Sequence, residues 1–255
     1  MFGLIYRQTR VRDNNAIIDW VVDSDMTLTS YATRVHSSAA FPNGLETMCV
    51  YEIECGRPRS GEMWRLHNAY NSQRFDKIID DMEVYACAGV ALEAISNVCT
   101  NGTSVSGLFR AIISTLAVME AVPEYALTAL AWFETRLLFQ VGAMPNIEFC
   151  SKCAKTLKRS SWYQQEVGFL CNDCANAQTN IETSVLDAIR RLYYQSLRTT
   201  MDNAVTRAAD PPRLKRYLRP ILRFLFAVLT DNSTMRWTKA YRFMNEMVFG
   251  DSADD

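Results

Sequence analysis

Two stretches, Phe149-Cys150-Ser-Lys-Cys153-Ala-Lys155 and Gly168-Phe-Leu-Cys171-Asn-Asp-Cys174, decide how this chain folds. They form C-x2-C, a gap of seventeen residues, and a second C-x2-C. That spacing lies in the window for a structural zinc site, in which two knuckles present four thiolates to one tetrahedral ion. Protein sulfur would fill all four positions, so Cys150, Cys153, Cys171 and Cys174 would hold structure without doing chemistry. The alternatives are two unrelated redox pairs, or buried thiols packing as small hydrophobes. The residues between the pairs, Ser161-Trp-Tyr-Gln-Gln-Glu-Val-Gly-Phe-Leu170, read as a small hairpin with Gly168 beside the second knuckle. A segment this short cannot build a core. Structural zinc substitutes for one, contributing about 10–16 kcal/mol of apparent binding energy in zinc-finger peptides. Cys49, Cys55, Cys87 and Cys99 have no ligand spacing and read as core thiols.

Outward from this module, 255 residues with 49% hydrophobic content suffice for two domains with cores of their own. No run of eighteen apolar residues suggests a membrane span, and Met1-Phe-Gly-Leu-Ile-Tyr-Arg7 does not read as a secretory signal. Eight cysteines in a chain of this size, half of them in a zinc pattern, suit a reducing cytoplasm. The net charge of −1 argues against a uniformly basic nucleic-acid binder. Its distribution is uneven: residues 1–75 are net 0, 76–149 net −6, 150–180 net +2 and 181–255 net +3. Such asymmetry suggests a localised anion-binding face.

Residues 1–75 read as β structure, with candidate strands at 3–8, 16–23, 26–35, 47–54 and 62–70. Leu28-Thr-Ser-Tyr31-Ala-Thr-Arg34-Val35 alternates, and turn residues such as Asp23-Ser-Asp25 and Pro42-Asn-Gly44 separate the strands. Five short strands suit a small barrel of the OB type, with an SH3-like barrel as the alternative. Near Asp76 the period changes to that of a helix, running to about residue 98. A second helix spans 108–120, capped by Ser104 or Ser106, and Pro123 opens a third. That third helix is apolar all round and so centrally buried; Gly142 and Pro145 end it. Beyond the zinc module, helices are expected at 184–199, 211–229 and 234–249. The plan is α+β and multidomain: an N-terminal OB-fold β-barrel (1–75), a helical domain in two parts (76–145 and 181–255) and an inserted four-cysteine zinc finger (146–180).

Catalytic motifs are missing: there is no HExxH, GxSxG or Walker lysine, and neither His36 nor His67 lies in a recognisable motif. Asp80, Asp81 and Glu83 read as a solvated helix face, so no enzyme is expected. The basic groups are the better candidates, because phosphates need long cations on one face. Lys152, Lys155, Lys158 and Arg159 cluster between the knuckles; Arg190, Arg191, Arg198, Arg213, Lys215, Arg216, Arg219 and Arg223 line the following helices. In the barrel, Tyr31, Trp64 and Tyr70 are placed to stack bases while Arg34, Arg57, Arg59 and Arg65 follow the backbone.

With that order laid out, the chain resembles the bacterial RecO family over nearly its whole length. Gly3-Leu-Ile-Tyr-Arg-Gln-Thr-Arg10 is similar to the family's opening strand, Met26-Thr-Leu-Thr-Ser-Tyr-Ala-Thr-Arg34 to its next strands and Leu45-Glu-Thr-Met48 to the entry of its fourth. Phe133-Glu-Thr-Arg136-Leu-Leu-Phe-Gln-Val-Gly142-Ala-Met-Pro145, followed by the first knuckle, is the most specific match. Gly168-Phe-Leu-Cys171 and Lys239-Ala-Tyr-Arg-Phe-Met244 extend it. The resemblance implies an OB barrel joined to a helical domain with a zinc finger. It also implies binding of single- and double-stranded DNA, strand annealing, contact with the C-terminal tail of single-stranded DNA-binding protein, and pairing with RecR to load RecA at the nucleoid. One departure stands out. The family's arginine run after the strand ending near Arg34 is replaced by Val35-His-Ser-Ser-Ala-Ala40, which implies weaker, salt-sensitive binding by the barrel. The acidic middle helices then become a candidate docking surface. A zinc-stabilised interaction scaffold without DNA binding is the second expectation, and a carboxylate-dependent nuclease a weaker third.

Overall fold

Five strands, β1 (Phe2–Val11), β2 (Asn15–Val22), β3 (Met26–Ala32), β4 (Cys49–Gly56) and β5 (Trp64–Arg74), close a barrel in the order β1-β2-β3-β5-β4 in this computed structural model. The structure describes residues 1–11, 14–35, 40–41, 44–57, 61, 63–157, 161–164, 167–175, 184–208, 211–231 and 239–250. Neighbouring strands run antiparallel except β3 and β5, which pair in parallel through Ser30↔Trp64 and Tyr31↔Arg65. This closed Greek-key arrangement fits the OB fold. Its interior is filled by Ile5, Ile18, Trp20, Leu28, Tyr51, Ile53 and Leu66. The Trp20 indole N–H donates to the Ser30 hydroxyl at 2.8 Å, which lets a polar ring edge be buried without loss.

The start of β1 lacks a clean alternation because both of its faces are covered. Ile5 points into the barrel, while Leu4 and Tyr6 join the core of the helical region. The barrel is clamped to that region at the β2–β3 turn. Asp25 accepts hydrogen bonds from the amides of Gly107 (2.7 Å) and Phe109 (3.2 Å), at the start of α2 (Leu108–Ala121). The expected serine cap at 104 or 106 is therefore replaced by a carboxylate from another part of the chain, with Gly107 at φ 75° turning the backbone into the helix. Local propensity could not reveal a cap supplied from 82 residues away.

The change of period at Asp76 produces a 3-10 turn (Asp76–Asp80) before α1 (Met82–Val98), whose N-cap Asp81 accepts from the Glu83 and Val84 amides. Likewise Pro123 opens a 3-10 turn (Pro123–Tyr125), and α3 (Ala126–Gln140) follows with nearly every residue buried. Gly142, at φ 73°, ends it.

The helix expected at 184–199 is two helices, α4 (Ser184–Tyr194) and α5 (Leu197–Ala208). Three hydrogen bonds break it. The Gln195 carbonyl is taken by the Trp132 indole N–H (3.0 Å) and the Arg136 guanidinium (3.2 Å), and the Ser196 hydroxyl accepts from the Thr199 amide (3.2 Å) to start a new helix. The chain continues as α6 (Pro211–Asp231) and α7 (Lys239–Met244), the latter running into a π turn (Asn245–Phe249). Residues 234–238 of the last expected helix lie outside the described residues.

Candidate metal centre

Between α3 and α4 the chain makes a two-stranded arm, β6 (Ser161–Gln164) and β7 (Gly168–Cys171), in register from Ser161↔Cys171 to Gln164↔Gly168. Its first knuckle is a tight turn in which the Cys150 amide donates to the Lys155 carbonyl (2.8 Å) and the Ala154 amide to the Cys150 carbonyl (2.9 Å). The second repeats the device, with the Cys174 and Ala175 amides both donating to the Cys171 carbonyl at 3.0 Å. The knuckles are pressed together at Gly168: the Ser151 amide donates to the Phe169 carbonyl (2.8 Å), and a Cβ at Gly168 would stand 2.6 Å from the Ser151 hydroxyl. Glycine at 168, with φ 103°, is thus required by space as well as by backbone conformation.

The turns gather all four cysteine sulfurs within 4.8 Å of one another, with the Cys153 and Cys171 sulfurs 3.6 Å apart. A tetrahedral zinc with Zn–S bonds of about 2.3 Å places its sulfurs about 3.8 Å apart, so the donor set and its spacing fit such an ion. The electrostatics point the same way. Burial works against a Cys150 thiolate, but the amides of Cys171, Cys153 and Lys152 bring it down to about 6. Its neighbours are driven the other way. Hydrogen bonding with the Cys153 thiol, then desolvation, pushes Cys174 up to about 12. At Cys153 the Lys155 amide favours the thiolate, yet desolvation and the Cys150 and Cys171 sulfurs outweigh it and hold the thiol up. Four sulfurs this close cannot all be anionic without a cation among them.

The opposite side of the arm is seated on the helices. Tyr163, Phe169 and Phe224 of α6 form an aromatic cluster with ring centroids 4.9–5.4 Å apart. Arg190 of α4, placed by the sequence among the phosphate-binding candidates, instead donates to the Ile147 and Leu157 carbonyls and pairs with Glu148 (3.4 Å) and Asp187 (3.6 Å). It ties α4 to the arm. The sequence carried no signal for this, because the carbonyls it serves lie more than thirty residues away.

The other basic candidates separate into groups. Register places Tyr31 beside Arg65, and Arg65 beside Gly56, which precedes Arg57, so these three residues share one region of the barrel. Tyr31 is half-buried, while Arg34, Arg57 and Arg65 are exposed and form no ion pair among the described residues. On the arm Lys152 is exposed and Lys155 is paired with Asp173 (2.9 Å). On α6, Lys215 bonds Glu83 of α1 at 2.6 Å, which makes it a helix-to-helix tie, while Arg213 and Arg216 are exposed. Arg59, Lys158, Arg159 and the segment 36–39 lie outside the described residues. No described helix is long and apolar enough to cross a membrane.

Residues 79–227, more than half of the chain, match the family described as "Recombination protein O C terminal". Curated relatives are named DNA repair protein RecO. The chain is 24% identical over 195 residues to a DNA repair protein RecO of Dehalococcoides mccartyi, covering 75% of this chain and 76% of the relative. It is 26% identical over 187 residues to that of Desulforamulus reducens (67% and 72%), and 24% identical over 132 residues to that of Acetivibrio thermocellus (51% and 52%). A five-stranded barrel clamped to a helical region that carries four converging cysteines, matched along its helical half by that profile, places the chain in the RecO family of DNA repair proteins.

Proposed function

We propose that the protein is a DNA-binding annealing factor of recombinational repair. It binds single- and double-stranded DNA, works with RecR and the C-terminal tail of single-stranded DNA-binding protein, and helps load RecA. The observation that carries this reading is the RecO-family architecture with Tyr31 and the exposed Arg65 paired in register on the barrel, and the exposed Arg57 next in sequence to Gly56, the other partner of Arg65. In this reading annealing needs no covalent step. The cations neutralise the phosphates of two strands, and aromatic rings at the surface hold their bases until the strands pair. The four-cysteine site holds one structural zinc and takes no part in chemistry, and the protein is not an enzyme. It works in the cytoplasm, at the nucleoid. A partner segment would take the cleft of about 490 Å³ between barrel and helices, whose lining includes Tyr6, Met48, Tyr85, Leu92, Phe243 and Lys239.

Fluorescence anisotropy with labelled single-stranded and duplex DNA at low salt, with and without RecR, tests the proposal. Binding that weakens steeply with salt supports it, and no binding in either arrangement removes it. Incubation with divalent metal should leave labelled DNA uncut. A second reading, a zinc-stabilised scaffold, is favoured by the neutral charge of residues 1–75. It predicts a RecR pull-down that survives loss of Arg34, Arg57 and Arg65, together with absent DNA binding.

A further inference from the structure

At the junction of α4 and α5 an aromatic ladder climbs out of the helical core. Phe139 of α3 stacks on Tyr193 with centroids 3.8 Å apart and planes 26° from parallel. Tyr193 meets Tyr194 at 4.9 Å and 66°. The lower rungs are fixed. The Arg136 guanidinium lies 5.5 Å from the Trp132 ring centroid and 5.6 Å from that of Tyr193, and both Trp132 and Arg136 hydrogen-bond the Gln195 carbonyl. The top rung is in water: Tyr194 is 67% exposed, more than any other large apolar side chain described. Two exposed arginines flank it in sequence, Arg191 one helical turn before and Arg198 in the first turn of α5. Neither has a carboxylate within 4.0 Å among the described residues, and Arg191 keeps its terminal nitrogens for a phosphate while its Nε–H donates to the Asp187 carbonyl (3.2 Å). Asp187, the nearby acid on α4, is engaged by Arg190.

We infer that Tyr194, with Arg191 and Arg198, is a base-stacking ledge for an unpaired nucleic-acid strand, separate from the barrel cluster at Tyr31, Arg65 and Arg57. The inference rests on the proposed DNA binding. An exposed ring held rigid from below takes the face of any base, at about 1–3 kcal/mol per stacked base, and long cations on either side take the adjoining phosphates. A duplex does not fit, because its base faces are already stacked. A strand on the ledge and another on the barrel would give one molecule hold of two strands.

The test is anisotropy of the full-length, zinc-loaded protein with oligothymidylate at low salt. Tyr194→Ala should weaken binding by about tenfold, a factor within the stacking range. Tyr194→Phe should bind within about twofold of wild type, because the ring face is kept. Arg191→Ala with Arg198→Ala should weaken binding and flatten its dependence on salt. A strand carrying 5-iodouracil should cross-link to Tyr194. The side chain lies outside the core, so the fold should survive its loss, and an unchanged near-ultraviolet circular dichroism spectrum checks this. Wild type that binds while Tyr194→Ala binds equally well overturns the ledge and leaves the proposed function standing. A Tyr194→Ala protein that loses RecR but keeps DNA makes the ledge a protein-docking surface and overturns the inference. Wild type that binds no DNA overturns both readings.

Discussion

The barrel and the four-cysteine arm differ in where their stability comes from. The barrel closes its own hydrogen-bond ladder and fills its interior with Ile5, Ile18, Trp20, Tyr51 and Ile53, all 2% exposed or less. The arm has two four-residue strands, and its buried side chains, Leu157, Tyr163, Phe169 and Leu170, belong to the core of the helical region. The barrel carries its own core. The arm has two supports outside its own strands: in the proposed reading a cation among its sulfurs, and a bed of helices beneath its aromatic face. A β element too small to bury its own surface is therefore placed by whatever it leans on.

The largest expected effect comes from removing the first support. Cys171→Ser should release the ion and loosen residues 146–175, so that limited proteolysis cuts there while the barrel stays resistant. Uniform resistance would show that packing alone holds the arm. Next comes the second support. Phe169→Ala should destabilise by about 3–5 kcal/mol, read by denaturant unfolding. It should also lower metal retention, because the backbone of Phe169 braces the first knuckle. Retention equal to wild type would mean that the two supports are independent.

A third effect separates the helical core from the barrel by pH. Glu134 of α3 is fully buried, neither of its carboxyl oxygens has a hydrogen-bond partner in the described structure, and burial raises its pKa from 4.5 to about 8. The raised value means that its contribution is fully present below about pH 4.5 and is lost as pH rises through 8. Glu134→Gln, which stays neutral, should melt close to wild type at pH 4.5 and increasingly above it towards pH 8, a difference of a few kcal/mol, about 1.4 for each pH unit. Melting curves that stay parallel across this range would contradict the assignment. The smallest effect is at the clamp between the two regions. Asp25→Ala removes the borrowed cap of α2 and should cost about 1 kcal/mol in thermal unfolding.

The cysteine spacing made the four-sulfur cluster readable from the chain, because a knuckle is a local object. The barrel was readable for the same reason: turn residues and alternation are local, although the exposed Phe2, Thr9 and Arg10 hid the full extent of β1. What was not readable depended on partners distant in sequence. Asp25 capping α2, Arg190 holding the arm and the Trp132–Arg136 pair ending α4 all act across a fold that no window of residues contains. Among the basic groups, sequence could count charges but could not tell Lys215, which ties α6 to α1, from Arg216, which faces water.

Elemental analysis of the purified protein asks whether the arm stands on a sulfur-held ion. About one zinc per chain is expected, lost in Cys171→Ser. A wild-type protein that carries no metal while its arm stays protease-resistant, or a Cys171→Ser protein with unchanged metal content, would contradict it.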